Sequence, residues 1–489
     1  MDNELQQAEE LIGKAEARIA RIRARSLAAG KEVAPTLDQE AFKEFLKEPY
    51  VLIQKGKHDW YCVVPKFVDF SVGWLEFATK SYNVFMINRY TLWIGDVSQK
   101  IREATGLEEP EGEFSLDGNM LNFRKRDKAI AQKYRDKFVN RSTGDTSAKV
   151  VAGKEFQLLA ALIDDGYLPF VPKPVARADY REPQVKFDVT GKYTFQDDAY
   201  KRFLELGAIG VYWMTGAGKS FLTMRVMDSL IGPKCLVVPT ITLVDQWKQY
   251  FTEHAPRLLQ EVEVYTYAAY EKIKNRDWTI VVFDECHRLP ANSFSRMATV
   301  RTKYRMGLSA SPYREDGRTS YIFALTGFPV GMDWKQLMGI LGKDYHTVSV
   351  HIVATQQGKL AKIQELINPG TKTIIFSDGL ELGQRIADKF EIPFINGETK
   401  NRLKVANEAS VFVASRVMDL GVSIKNLEHI IEADFLFGSR QQEIQRTGRL
   451  FHSVESGRHD IIMTQEEFDL YGKRLHALVE RGFKINIHN

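Results

Sequence analysis

Gly216-Ala217-Gly218-Lys219-Ser220 decides how this chain is read. Upstream lies Ile209-Gly-Val-Tyr-Trp213, a β-prone run; downstream, Phe221-Leu-Thr-Met-Arg-Val-Met227 has the pattern of an amphipathic helix. A glycine-rich turn between a strand and a helix offers backbone N–H groups to phosphate at the positive end of the helix dipole. In such a loop, running from Thr215 to Ser220, Lys219 reaches the β- and γ-phosphates and the Ser220 hydroxyl ligates Mg2+. Trp213 stands where the full G-x-x-x-x-G-K-[ST] pattern has glycine. The turn is therefore a shortened phosphate loop, and its weight rests on what the rest of the chain supplies.

A chain of 489 residues is too long for one core and predicts about three domains. Hydrophobic residues make up 44% and charged residues 27%, the balance of a globular protein rather than a disordered one. The net charge is only +4, so any nucleic-acid binding must come from local basic patches. Cys62, Cys235 and Cys286 are scattered and form no C-x-x-C metal pattern or disulfide framework, which suits a reducing compartment. No apolar run is long enough to span a bilayer, and the first residues lack the layout of a signal peptide. The expectation is a soluble intracellular protein, cytoplasmic or nucleoid-associated, with no membrane partner.

Residues 3 to 31 are charged and Ala-rich, with Leu5, Leu11, Ile12, Ala15, Ile19 and Ile22 on one helical stripe. That pattern fits a solvated helix packed along one face, or a short coiled coil or partner-binding arm. Tyr50-Val-Leu-Ile53, Trp60-Tyr-Cys-Val-Val64 and Tyr82-Asn-Val-Phe-Met-Ile87 read as strands of a small α+β unit. A basic stretch from Arg124 to Arg141 reads as helical, either solvated or touching nucleic acid, and Pro172 to Pro183 as a linker. Trp60, Tyr61, Trp74 and Phe77 read as core rather than as a base-stacking platform. Beyond residue 185, short apolar runs alternate with helices: Cys235-Leu-Val-Val238, Ile280-Val-Val-Phe283 and Arg305-Met-Gly-Leu308 form one series. Thr373-Ile-Ile-Phe376, Pro393-Phe-Ile395, Val411-Phe-Val413, His429-Ile-Ile431 and Asp460-Ile-Ile462 form a second. Continuous apolar runs of this kind are buried parallel strands, so two tandem doubly wound α/β domains are expected.

Asp284-Glu285-Cys286-His287 follows the Ile280 run directly. Ligands of open α/β sheets bind beyond the carboxyl ends of the strands, which brings these acids to the crevice of Lys219. Asp284 there can hold Mg2+, and Glu285 can orient and deprotonate the water that attacks a γ-phosphate. A lone Asp-Glu pair is more often a helix cap; following a strand and a phosphate loop, it is not.

With those two motifs the chain resembles a superfamily 2 helicase, and further stretches match in order. Pro239-Thr-Ile-Thr-Leu-Val-Asp-Gln-Trp247 resembles motif Ia, Thr266-Tyr267 motif Ic and Ser309-Ala-Ser-Pro312 motif III. Val413-Ala-Ser-Arg-Val-Met-Asp-Leu-Gly421 resembles motif V and Gln445-Arg-Thr-Gly-Arg449 motif VI, while Gln196 resembles the glutamine that reads adenine. Arg314-Glu315-Asp316 looks like the RED motif of the XPB/Rad25 group, and Gly438-Ser-Arg-Gln-Gln-Glu-Ile-Gln-Arg446 like its approach to motif VI. The phage UvsW-like branch-migration group is the next resemblance, through Asp-Glu-Cys-His and Ser423-Ile-Lys-Asn-Leu427. Only about sixty residues separate Glu315 from Ile374, so an XPB-type thumb is short or absent. Leu450-Phe-His452 stands where motif VI carries a second arginine.

The resemblance implies an α/β fold of two tandem RecA-like doubly wound parallel-sheet domains, at 181–335 and 336–489. A charged helix (1–35) and a smaller α+β accessory domain for DNA recognition (36–180) precede them. It implies ATP and Mg2+ as cofactors, with ATP between Lys219, Asp284 and Glu285 on one side and Arg449, the arginine finger, on the other. Arg446 is the alternative finger, Asp419 and Gly421 of motif V also face nucleotide, and His287 either couples nucleotide state to the next motif or is a structural hydrogen-bonder. Contacts to DNA fall to Thr240, Gln246, Trp247, Thr266, Arg314, Glu315, Asp316, Ser377 and Ser415, although any of the hydroxyl residues could simply cap a helix. The implied activity is 3′-to-5′ unwinding or remodelling of single-stranded, forked or branched DNA in repair or recombination, with a nuclease or other repair protein as partner. A non-enzymatic nucleic-acid-binding scaffold with a degraded motor is the rival of another class.

Overall fold

A computed structural model describes residues 48–488, apart from breaks at 109–113, 124–131, 168–172, 187–193, 311–318, 332–346, 420–423, 436–439, 451–456 and 480–482 and shorter gaps between them. The N-terminal helix, the RED-like Arg314, Glu315 and Asp316, Thr215, Gly421 and His452 all lie outside the described residues. The chain divides into two compact units, residues 1–109 and 110–489.

In the first unit, β1 (Val51–Gln54), β2 (Asp59–Pro65), β3 (Trp74–Ala78) and β4 (Tyr82–Asn88) form an antiparallel sheet in the order β1-β2-β4-β3. Tyr61, Val63, Val84 and Met86 are its core on one face, so Tyr61 is packed rather than offered to a base. The stretch read as one accessory domain holds a second sheet, which belongs to the second unit. It comprises β5 (Phe114–Asp117), β6 (Met120–Phe123), β7 (Phe138–Thr143) and β8 (Ser147–Val150) in the order β5-β6-β8-β7. The helix Glu155–Asp164 covers it through Leu158 and Leu162. The helical expectation for the basic stretch fails over Phe138–Thr143, which is a strand paired with β8, where cross-strand pairing overrides helix propensity. The Pro-bearing stretch is not a free linker either. Its backbone hydrogen-bonds along the following helix, Val175 N to Leu204 O at 2.8 Å and Lys173 N to Leu206 O at 3.0 Å.

Two parallel sheets follow. The first has the order β11-β10-β12-β13-β9-β14, where β9 is Ala208–Tyr212, β10 Lys234–Val238, β11 Val262–Thr266, β12 Trp278–Asp284, β13 Thr302–Ser309 and β14 Phe328–Gly331. Every described pairing in it is parallel. The second has the order β17-β18-β16-β19-β20-β15-β21. Here β15 is Thr347–Val353, β16 Thr373–Ser377, β17 Phe394–Ile395, β18 Val411–Ala414, β19 His429–Asp434, β20 Arg458–Thr464 and β21 Lys484–His488. It too is parallel throughout. The fold class expected from sequence is the one observed: tandem RecA-like domains after small antiparallel sheets. Strands such as Ile280, Val281, Val282 and Phe283 are buried on both faces, each side chain contributing about 1.5–3 kcal/mol. That two-sided burial is why these strands read as unbroken apolar runs. No helix among the described residues is long and apolar enough to cross a membrane.

Candidate active site

The phosphate loop leaves β9 and turns through Gly216 and Gly218, whose φ angles of +84° and +86° lie in the left-handed region that favours glycine. Gly218 caps the helix Lys219–Asp228. A Cβ at Gly218 would meet Gln196 Nε2 at 2.1 Å, and Gln196 itself is buried and donates Nε2–H to Ala217 O at 2.9 Å. Gln196 thus braces the loop from behind. Trp213 is buried against Phe195, so the residue that replaces the pattern's first glycine serves as core and does not enter the cradle. Lys219 Nζ donates to Trp213 O at 2.8 Å and Met214 O at 3.1 Å. Desolvation lowers its pKa while Glu285 and Asp284 oppose that shift.

β13 lies between β9 and β12, and the parallel register sets Tyr212, Ser309 and Asp284 along one carboxyl edge. Asp284 Oδ2 accepts the Trp247 indole N–H at 2.9 Å, and Oδ1 accepts the Glu285 N–H at 3.0 Å. Burial, then the neighbouring Glu285 charge, push Asp284 up to about 6. Glu285 is in the left-handed conformation (φ 50°), uncommon for a residue with a side chain. That turn brings Oε2 to 3.2 Å from His287 Nδ1, which is also 3.1 Å from Ser309 Oγ. Burial opposes ionisation of Glu285, but the hydrogen bond and charge of His287, with Lys219 and Arg288, hold its pKa below the ordinary value. The two adjacent acids therefore differ: Glu285 gives up its proton more readily than Asp284.

A cavity of about 360 Å3 joins this edge to the second RecA-like domain. Gly216, Gly218, Lys219, Ser220, Asp284 and Glu285 line it from one side; Asp419, Gln445 and Arg449 line it from the other. Arg449 is buried, donates Nη2–H to Met418 O, and is held down to about 10 by desolvation, so it remains a cation at neutral pH. Buried Gln445 Nε2 has no hydrogen-bond partner among the described residues.

Arg446 takes a different place from the one expected of a second finger. Its guanidinium is fully buried, with Nε on Asp419 Oδ1 at 2.8 Å, Nη1 on Glu432 Oε2 at 2.6 Å and Nη2 on Asp378 Oδ1. It does not line the cavity; it holds Asp419, which does. The charges continue inward. Glu432 also accepts Arg474 Nη2 at 2.9 Å and faces His459 Nε2 at 3.0 Å, and Arg474 Nε donates to Glu443 Oε2 at 2.6 Å. Burial, then repulsion from Glu432, push Glu443 up to about 7. Its folded value is above its unfolded one, so the folded state holds this proton more tightly. The stability it contributes is present below about pH 4.5 and is lost as pH rises through about 7. Glu443→Gln imitates the protonated acid. It is expected to stabilise the protein at pH 8 by on the order of 1–3 kcal/mol and to change little at pH 5, compared by urea unfolding at both pH values.

Gln246 and Trp247, expected among the DNA contacts, line the cavity of Lys219 and Asp284. The helix Ile241–His254 turns Leu243, Gln246, Trp247, Tyr250 and His254 into the nucleotide cavity, a stripe at helical spacing. Leu243, Tyr250 and His254, together with Phe221 and Met224 of the preceding helix Lys219–Asp228, are cavity residues that the motifs do not single out, although the i, i+3, i+4, i+7 spacing is present in the sequence. Thr240 caps that helix, its Oγ1 accepting Leu243 N–H at 3.4 Å, and also borders a second cleft of about 850 Å3 with Thr242, Thr399, Arg402, Lys404 and Arg416. Thr266 is half-buried at the end of β11. Ser377 and Ser415 are buried at the carboxyl ends of β16 and β18, and Ser377 Oγ donates to Gly379 O at 2.8 Å. The Ser377 hydroxyl is committed to its own loop, because strand ends in a parallel sheet are covered by the turns that leave them.

Two RecA-like domains sharing one cavity, with a phosphate loop and Asp-Glu-x-His on one side and a buried arginine on the other, define the superfamily 2 helicase class. Residues 354–476 match the ERCC3/RAD25/XPB C-terminal helicase family. Rad25 of Halobacterium salinarum is 26% identical over 407 residues, covering 72% of this chain and 67% of the relative. Rad25 of Haloarcula marismortui is 28% identical over 344 residues, covering 60% and 55%. The DNA 3'-5' translocase XPB2 of Sulfurisphaera tokodaii is 24% identical over 413 residues, covering 67% and 88%. The chain is thus similar in sequence to the XPB/Rad25 helicases. It spans between about half and two thirds of the length of the two Rad25 relatives.

Proposed function

We propose that the chain is a DNA-dependent ATPase that drives 3′-to-5′ translocation, unwinding or remodelling of DNA in repair or recombination. The observation that carries this reading is the shared cavity, with Lys219, Asp284 and Glu285 facing Arg449 across it. The relatives' printed functions, DNA 3'-5' translocase among them, supply the substrate and direction. ATP is the nucleotide. Lys219 neutralises its β- and γ-phosphates, Glu285 is the ionised base poised to take a proton from water, and Arg449 answers the charge that develops on the γ-phosphate. Buried Asp284 and the cavity-facing Ser220 suit Mg2+, since each Asp284 oxygen has only one donor and keeps a lone pair. Bound there, the ion would screen phosphate charge. His287, between Glu285 and Ser309, ties the base to the strand end that follows, and Asp419 and Gln445 complete the cavity from the far domain.

A ligand gripped from both sides favours closure of the two domains, and its cleavage removes the bridge. The second cleft, bordered by Thr240 and Thr242 of one domain and Arg402, Lys404 and Arg416 of the other, would track a DNA backbone largely without regard to sequence. DNA is the partner proposed, single-stranded, forked or branched, together with a nuclease or another repair protein.

The test is ATP hydrolysis across single strands, bubbles, forks, four-way junctions and lesion-bearing duplexes. Turnover should rise at least about tenfold with one of these DNAs, as ligand-gated closure requires; a flat response to all of them sinks the reading. Arg416→Ala should weaken DNA binding about equally for unrelated sequences and lower the salt slope by roughly 1.

A further inference from the structure

The helix Ile241–His254 reaches both cavities. Its cap Thr240 and first-turn Thr242 border the second cleft, and its middle and end face the nucleotide cavity. Fourteen residues at 1.5 Å each make a rod of about 20 Å. At its centre, Trp247 is only 2% exposed, packed against Phe251 and Tyr250 at ring separations of 5.8 and 6.0 Å. Its indole N–H goes to Asp284 Oδ2 at 2.9 Å, while the other carboxylate oxygen is held by the Glu285 N–H in the local turn. One of the two bonds that orient Asp284 therefore comes from a different element. An indole N–H only donates, so it fixes which oxygen face is turned away from the cavity's open side.

We propose that Trp247 is a positioning residue that aims Asp284 at the divalent cation and makes that aim respond to DNA at the helix's opposite end. The idea rests on reading Asp284 as a metal ligand and the second cleft as the DNA groove. Packed interiors transmit small displacements instead of absorbing them, so a shift at Thr240 moves the indole with the helix. Partners that orient a metal ligand from outside typically carry 10–100-fold in metal affinity.

The test measures Mn2+ in place of Mg2+, by electron paramagnetic resonance of the free ion, on the full chain with AMP-PNP, with and without an oligothymidylate. The wild-type chain should bind Mn2+ and bind it several-fold more tightly with DNA. Trp247→Phe keeps most of the buried ring but loses the N–H; it should weaken Mn2+ binding roughly tenfold and abolish the DNA-dependent tightening. Trp247→Gln loses the ring but keeps a donor, so it should bind Mn2+ more tightly than Trp247→Phe, the reverse of the order that packing alone would give. Wild-type affinity in Trp247→Phe, or weaker binding in Trp247→Gln than in Trp247→Phe, overturns the proposal. A wild-type chain that binds Mn2+ but ignores DNA overturns the coupling alone; one that binds no Mn2+ with AMP-PNP overturns the site reading beneath it.

Discussion

Lys219→Ala is expected to lower ATP turnover at least 10²–10³-fold, roughly the loss seen when one preorganised charge or donor is removed from a transition state. The fold should survive. Lys219 Nζ is spent on two backbone carbonyls of its own loop, Trp213 and Met214, and desolvation already disfavours its charge there. Losing those bonds costs stability, and removing a partly desolvated cation returns some of it, so the thermal midpoint should move by only a few degrees. Those carbonyls also hold the ammonium in the loop from which phosphate would draw it. Turnover and nucleotide binding should be measured together with the unfolding midpoint. Turnover close to wild type in a folded variant would place the chemistry elsewhere.

Arg446→Ala should have the largest effect on stability, about 3–5 kcal/mol, because it leaves Asp378 and Asp419 without their cation and Glu432 with Arg474 alone. Asp378, Asp419 and Glu432 each accept from a different guanidinium nitrogen, and both Arg446 and Glu432 are fully excluded from solvent. The carboxylates hold the Arg446 pKa well above its ordinary value against the pull of burial. Lysine keeps the charge but not the three-way fork, so Arg446→Lys should fall between wild type and alanine. Urea unfolding decides it: a loss below 1 kcal/mol in the alanine variant would mean the carboxylates reach water or protonate without cost. Turnover should fall as well, since Asp419 then loses the group that fixes it at the cavity wall.

The parallel sheets were legible because strands buried on both faces must be apolar along their length, as Ile280 to Phe283 and Ile374 to Phe376 are. Lys219, Asp284 and Glu285 were legible because backbone chemistry at a strand end demands those residue types at those places. β11, β14, β15 and β21 were not picked out. Val262–Thr266 and Lys484–His488 lie toward or at sheet edges, where polar residues are tolerated and the apolar run breaks up. Gln246 and Trp247, expected among the DNA contacts, line the cavity of Lys219. A motif gives the order of residues along a helix but not which stripe faces which cavity, and that rotation is set by packing against β10, β11 and the short helix Leu258–Glu261. Arg446 and Arg449 show the same limit: three positions apart, one is locked among carboxylates and the other lines the cavity. Only the partners Asp378, Glu432 and Arg474, drawn from distant parts of the chain, tell them apart.

That inner row of charges also constrains how the chain can drift over generations. Arg446, Glu432, Arg474 and Glu443 alternate in sign, and each touches the next. Replacing one of them alone by an apolar residue strands a neighbour, whereas exchange of an adjacent acid–base pair for apolar residues of similar volume can be neutral. Viable descendants should therefore change these positions two at a time, so that Glu443 and Arg474 are kept or lost together.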